Sequence, residues 1–475
     1  MPMPWLTKQW IGPRRIPGGH FGALLFVVLL AYVAIAVVRT SLVTDPLPEP
    51  FASEIGERVQ VSGVVATDPD LRDASQRVTI DITQDGGEAR VLAIAGRYTT
   101  VGVGDAVDVS GTLALPQPFS SDDEGGRVFR YDKFLEKDGI RFLLNFSSIT
   151  VTQSAPWYSV PSHLARIKHA FLDGLSRALT EPYATLAGGL IVGGKQGLGN
   201  DLLDAFILSG LVQIIVLSGY NVMIVAEGVM RGLKSIRIPQ RVAALLGGVA
   251  LILFVFMAGA GSSSIRAGLM ALIALYARAT TRSYAAGRAL ILVALLMLVW
   301  NPYLLLFDPG FDLSFIATAG LIWLSPFIEL KLIWITNTFW RSMIATTIAA
   351  QAAVLPLLLY DMGTLSLVAI PANLLVSPFI TAAMATSAIA AVSGLFLGSF
   401  APVFAFPAYL LNRYIIEVAK FSSSLPYAAF HLPPFPFWLL ALVYGSAIFL
   451  IVRYAAASKR RSMTDQLILS KKASI

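Results

Sequence analysis

Chemistry in this chain would have to turn on a few polar residues set inside greasy runs. Ser218-Gly219-Tyr220-Asn221 interrupts the apolar stretch from Leu211 to Ala226, and Arg266 follows Ser262-Ser263-Ser264-Ile265. Asp308, Asp312 and Ser314 share the short phrase Phe307 to Phe315, and Gln351 and Asn373 flank Pro356 and Tyr360. Hydrocarbon satisfies neither an amide nor an ion, so such residues face a bundle interior or an aqueous cavity. Ser-Gly also weakens a helix, which points to a broken or bent segment facing protein or water. Cations and neutral donors in these places suit a polar path through a membrane domain rather than bond-breaking chemistry. The plainer alternatives stay open at this stage: a tight turn at Ser218–Asn221, and capping, inter-helix or ion-pair roles for the rest.

Other chemistries are poorly supported. Gly189 to Gly194 followed by Lys195 nearly spells a phosphate-binding loop, but Gln196 stands where the magnesium-holding hydroxyl belongs, and no strand leads in. His20, His163, His169 and His431 have no metal-ligand spacing, and Ser262–Ser264 have no histidine nearby in sequence. Without cysteine there is no disulfide, zinc ribbon, iron–sulfur cluster or thiol nucleophile. No enzyme activity, cofactor or metal is expected.

The elements that must position these residues follow from composition. Of the 475 residues 56% are hydrophobic and 14% charged, against about 45–50% and 25% in soluble proteins. The expected fold class is a polytopic α-helical membrane protein with an inserted small all-β, OB-fold-like extracytoplasmic domain. Residues 1–44 carry four Lys or Arg and no acid, residues 45–160 carry 10 Lys or Arg against 18 Asp or Glu, and residues 161–475 carry 22 against 11. The insert is therefore acidic and the membrane part basic, which reflects topology more than an affinity for nucleic acid.

In chain order, Lys8, Arg14 and Arg15 precede an apolar run from Phe21 to Val38, read as an uncleaved first helix with its N-terminus in the cytoplasm. Residues 1–44 form this segment, and 45–155 the β domain. There the period drops to two at Arg58–Val65, Arg77–Ile82, Ala89–Ile94, Gly104–Leu113 and Ile140–Val151, which suits a five-stranded barrel. Its aromatics, Tyr98, Phe119, Phe129, Tyr131, Phe134 and Phe142, are expected mostly in the core. Residues 156–210 are expected to form amphipathic interfacial helices, 211–455 a multi-helix membrane domain and 456–475 a basic cytoplasmic tail. Basic loops at Arg231–Arg241, Arg278–Arg288 and Lys331–Arg341 alternate with loops holding Asp308, Asp312 and Asp361, so both termini are expected in the cytoplasm after about ten crossings.

At these residues the chain resembles the ComEC family, the inner-membrane channel of bacterial DNA uptake. The resemblance rests on the approach to Ser218-Gly219, on Arg266-Ala267, on Asp308-Pro309-Gly310-Phe311 with Leu313-Ser314-Phe315, and on Gln351, Leu355-Pro356, Tyr360, Asn373-Leu374-Leu375 and Pro378. Phe129 to Ile140 is similar to the family's link after its OB domain. The resemblance implies a channel passing single-stranded DNA across the bacterial cytoplasmic membrane during natural transformation. Its partners would be membrane lipid, an extracytoplasmic DNA receptor, and a cytoplasmic helicase or single-strand-binding protein. Tyr220-Asn221 replaces the commoner Leu-His, so any role of that histidine is not carried over. No His-x-His-x-Asp-His signature is present, which implies a separate nuclease. On this reading Lys195 and Arg266 meet phosphates, Asn221, Gln351 and Asn373 hydrogen-bond without trapping, and Ser218, Gly219 and Tyr220 line the path. Asp308, Asp312 and Ser314 are structural, the acids capping helices or pairing with arginine. The same broken helices would also serve a carrier for a small anionic solute.

Overall fold

The computed structural model describes residues 28, 31–34, 37, 47–49, 51–72, 74–84, 86–120, 128–193, 197–215, 219–447, 449 and 453. The expected first helix, Lys195, Ser218 and the basic tail therefore lie wholly or largely outside the described residues. The chain divides into two compact units, one of residues 13–315 and 366–429, the other of residues 1–12, 316–365 and 430–475.

In the larger unit the alternating segments form β1 (Arg58–Val65), β2 (Asp70–Leu71), β3 (Ser75–Gln84), β4 (Gly87–Gly96), β5 (Ala106–Ala114), β6 (Phe119–Ser120), β7 (Val128–Phe129) and β8 (Ile140–Gln153). Antiparallel pairings join β1 to β3 and β5, β3 to β4, and β5 to β8, and a parallel pairing of β4 with β8 closes the ring. Period two sends Val59, Val61, Ile80, Val91, Val109 and Leu113 inward, and Phe51, fully buried, packs against Phe142 at 6.0 Å between centroids. Burial of these β-branched and aromatic side chains is what stabilises so small a barrel.

The expectation that the barrel's aromatics are mostly core is corrected. Of the six, Phe142 alone fills the barrel. Tyr98 is exposed, and Phe119, Phe129, Tyr131 and Phe134 stack on one another outside. They fall in the strand-to-helix link, where β6, β7 and the helix Tyr131–Glu136 form a satellite cluster instead of barrel wall.

Helix Val160–Ala178 leads away from the barrel, capped by Ser159, whose Oγ accepts from Ser162 N at 3.4 Å. One face carries Lys168 and His169 to Asp68 of the barrel, with Lys168 Nζ donating to Asp68 Oδ2 at 2.7 Å and His169 Nε2 3.0 Å from Oδ1. Burial opposes ionisation of Asp68, but the two bases together hold its carboxyl below the usual range. The Asp68 carboxylate holds the His169 imidazolium above its ordinary value of 6.5, against the opposing effect of burial. The Asp68–His169 contribution to stability is thus complete below about pH 6.5 and is lost as pH rises through the raised value. Melting of the wild-type protein should fall between pH 6 and 8 more steeply than that of His169→Ala; parallel curves would refute the contact.

The other face of that helix meets helix Ala369–Phe396 so closely that a Cβ on Gly394 would lie 1.9 Å from the Gly174 carbonyl oxygen. Small residues allow this approach where hydrophobic driving force is weak. Gly394→Val should lower the melting temperature in detergent, at a cost of about 1–3 kcal/mol or more for overpacking; an unchanged melt would mean the crossing is looser than described.

Among the described residues, five helices are long and apolar enough to cross a membrane: Val212–Ser235, Gln240–Met257, Pro309–Lys331, Thr338–Asp361 and Ala369–Phe396. Tyr183–Val192, Ala286–Trp300 and Phe437–Ala447 are apolar but shorter. Ser262–Ala279 and Ala401–Ser424 are long but more polar. The expected count of about ten includes the first apolar run, which lies largely outside the described residues. Helices Gln240–Met257 and Ser262–Ala279 are joined by a tight Schellman turn at Gly259, whose φ of 87° suits glycine, with Ala260 N donating to Val255 O at 2.9 Å.

In the smaller unit, the membrane helix passes through a π-helical turn at Gly320–Leu324. Gly320 there lies so close to helix Thr338–Asp361 that a Cβ would come within 2.5 Å of Ala353 Cβ. Tyr444 donates its hydroxyl to the Ala353 carbonyl at 2.9 Å, and Tyr360 meets the rings of Phe435 and Phe437 edge-on.

Candidate functional site

Two helix starts and one buried cation build the site. Asp308 precedes Pro309, whose fixed φ suits the first turn of a helix. Asp308 Oδ1 accepts from Gly310 N at 2.9 Å, and its backbone oxygen accepts from Phe311 N and Asp312 N at 3.0 and 3.2 Å. The Ser262 hydroxyl, at the start of the neighbouring helix, donates to Asp308 Oδ2. The carboxylate is thus stabilised by hydrogen bonds at two positive helix ends.

One turn into the second helix, Arg266 is 7% exposed. Its Nε donates to Ser314 Oγ at 2.6 Å, Nη1 reaches Met270 Sδ at 3.6 Å, and Cζ lies 5.8 Å from the centre of the Phe315 ring. Phe315 therefore offers a cation–π contact. A Cβ on Gly219 would stand 2.5 Å from Nη2, so the missing side chain at Gly219 makes room for the guanidinium. Among the described residues no carboxylate pairs with Arg266, and Nη2 meets no oxygen acceptor. A guanidinium carries five donors, and burying the charge without a counter-ion costs several kcal/mol or more.

The interrupted segment is held on both sides. Asn221, 2% exposed, donates to the Leu190 carbonyl at 3.0 Å, satisfying an oxygen that helix Tyr183–Val192 leaves free at its C-terminus. Tyr220, partly exposed, places its hydroxyl 2.9 Å from Thr381 Oγ1. Helix Asn200–Leu208 ends in a Schellman turn at Gly210 (φ 69°), where Leu211 N donates to Phe206 O at 2.9 Å and Gly210 N to Ile207 O at 3.0 Å. Asn373, 4% exposed, gathers this turn. Its Nδ2 donates to Gly210 O at 3.2 Å and Ala369 O at 2.8 Å, while its Oδ1 accepts from Gln213 Nε2 at 3.1 Å.

The structure therefore brings Gly219, Arg266 and Ser314 together, with Asp308 bonded one turn away, and places Tyr220, Asn221 and Asn373 in the contacts that clasp the same segment. Asp312 lies in the first turn of the helix that Asp308 caps. Gln351 is half-buried on helix Thr338–Asp361 of the smaller unit and is not among these contacts. Lys195 and Ser218 lie outside the described residues. Ser314, expected to be structural, is Arg266's hydrogen-bond partner. Sequence reading passed over Gln213, Met270 and the buried pair Asn412–Ser387, whose Nδ2-to-Oγ bond is 3.1 Å. Gln213 was detectable as the one amide between Leu211 and Leu217; Met270 looked like any core methionine.

A family model described as competence protein matches residues 190–456, more than half of the chain. The chain belongs to the competence protein family. Asn221, Arg266, Asp308, Gln351 and Asn373 all fall within the matched part, and the barrel precedes it. This competence protein is 28% identical over 290 residues to the ComE operon protein 3 of Bacillus subtilis (strain 168), an alignment covering 61% of this chain and 36% of that protein. The aligned part thus spans little more than a third of that relative's length. No solved structure matches.

Proposed function

We propose that this competence protein forms the conduit by which single-stranded DNA crosses the bacterial cytoplasmic membrane. The observation that carries the proposal is Arg266, a buried guanidinium with no carboxylate partner among the described residues, inside a domain of membrane-length helices. A nucleic-acid backbone presents one phosphate per nucleotide, and each needs donors in place of water. One fixed cation backed by neutral amides attracts such a chain without holding it.

Further features support the reading. The ring order of the long strands, β1-β3-β4-β8-β5 with β4 and β8 parallel, supports reading the barrel as an OB-fold, a module used for single strands. Trp157, Tyr158 and Trp300 are exposed near the barrel, as in an aromatic belt at one membrane face, and Asn301 Nδ2 donates to Lys137 O of the barrel at 2.6 Å. Arg231, Lys234, Arg237 and Arg278 fall at helix ends away from Asn301, and by the positive-inside rule this supports a barrel on the outer side. In this reading a receptor delivers DNA, a nuclease leaves one strand, and a cytoplasmic helicase or single-strand-binding protein draws that strand in. The test is entry of labelled DNA into the cytosol of a strain lacking only this protein. Normal cytosolic label would overturn the reading. Saturable flux of a small anion in proteoliposomes, without competition from oligonucleotides, would replace it with a carrier.

A further inference from the structure

We propose that Phe146 is a stacking post for one unpaired base of the incoming strand, an inference that rests on the conduit reading above. Phe146 sits in the long strand β8 at a bulge. Between Leu144 and Ser147, which pair with Ala93 and Ala95 of β4, lie two residues against one. The same surplus faces β5, where Asn145 pairs with Thr112 and Ser148 with Ser110. Gly111 accommodates it, since a Cβ there would lie 3.0 Å from the Asn145 carbonyl oxygen. Bulges of this kind re-aim a side chain.

The bulge places Phe146 at a φ of 52° and leaves it 91% exposed. A bulky residue in the left-handed region is an outlier, and glycine would sit there without strain. An aromatic ring held in water gains nothing from burial. Neither feature serves the folded barrel, and both suit a ring kept ready for a partner.

Beside it opens a cleft of about 510 Å³ lined by Ser75, Ile94, Ala95, Gly96, Asn145 and Ser147, without a carboxylate. Ser147, in that lining, is nearly buried, and its Oγ has no hydrogen-bond partner among the described residues. It leaves hydrogen-bonding capacity unused in the cleft wall. Just past the lining Gly96 come Arg97 and Tyr98, the latter 91% exposed. The exposed Phe146 ring in a cleft whose described lining carries no carboxylate, with Tyr98 two residues beyond that lining, favours a nucleobase over a basic peptide on this otherwise acidic domain.

The experiment uses the full chain in nanodiscs and a fluorescent unstructured single-stranded oligonucleotide. Phe146→Gly should weaken binding about tenfold, Phe146→Trp should retain it, and the glycine variant should melt at the same temperature or higher because strain is relieved. Unchanged binding by Phe146→Gly, with the wild type binding normally, would overturn the post and leave the conduit reading standing. A glycine variant that melts lower would also overturn it, because Phe146 would then be holding the barrel. A wild-type protein that binds no single strand would overturn both.

Discussion

Arg266→Gln is expected to abolish most uptake of labelled DNA into the cytosol, by about 30-fold to 3,000-fold, while leaving DNA bound at the cell surface. The range follows from the roughly 2–5 kcal/mol that truncating a buried, hydrogen-bonded charge costs a complex, taken at about 1.4 kcal/mol per tenfold. Glutamine keeps a donor for Ser314 Oγ, which accepts from Arg266 Nε at 2.6 Å, so the helix contact survives better than the charge does. Arg266→Lys separates the two. It restores the cation but not the planar fork that reaches Ser314, Met270 and the face of Phe315 together. Partial recovery is expected from lysine. Equal abundance of the variants in membranes must accompany the assay, and wild-type uptake by Arg266→Gln at that abundance would sink the conduit. Gly219→Leu should phenocopy the loss, because a side chain there occupies the place of Nη2.

The second large effect is on stability. Asn373→Leu keeps size but removes three hydrogen bonds at once, leaving the Gln213 amide and the Gly210 carbonyl without their partner. A buried polar group left unpaired costs about 1–3 kcal/mol in water-soluble proteins, and inter-helix bonds in membranes average nearer 0.6 kcal/mol. The expected loss is about 2–3 kcal/mol, read as a lower melting temperature in detergent and increased hydrogen exchange around 209–215. Asn373→Asp, which keeps an acceptor for Gln213 Nε2 but loses the amide donor, should fall between. A leucine variant as stable as wild type would show that the turn at Gly210 holds itself through its own Schellman bonds.

Much of the fold was legible because its signals are local. Period-two alternation marked the five long strands, since inward and outward positions alternate along each one. The bulge at Phe146 was not legible: an extra residue in one strand is defined only against its neighbours' register. The aromatics were misjudged for a related reason. Ring composition says that a core exists, but the link at 119–134 makes its own cluster beside the barrel. Polar residues in apolar runs stood out for the opposite reason, because hydrocarbon penalises them wherever they sit.

Hydropathy and periodicity alone marked a membrane protein carrying a small barrel, and turned Arg266, Asn221, Asp308, Asp312, Gln351 and Asn373 toward an interior or a cavity rather than lipid. Hydropathy, periodicity and the cost of an unsatisfied polar group act residue by residue, so they are written in the order of the chain. The tertiary structure alone decided the partners. Arg266 took a serine, a methionine sulfur and an aromatic face, while Asp308 went to a helix start and a serine hydroxyl. Pairing depends on which helix ends meet in space, and a Coulomb or hydrogen-bond contact is decided by separations of an ångström that no spacing along the chain encodes.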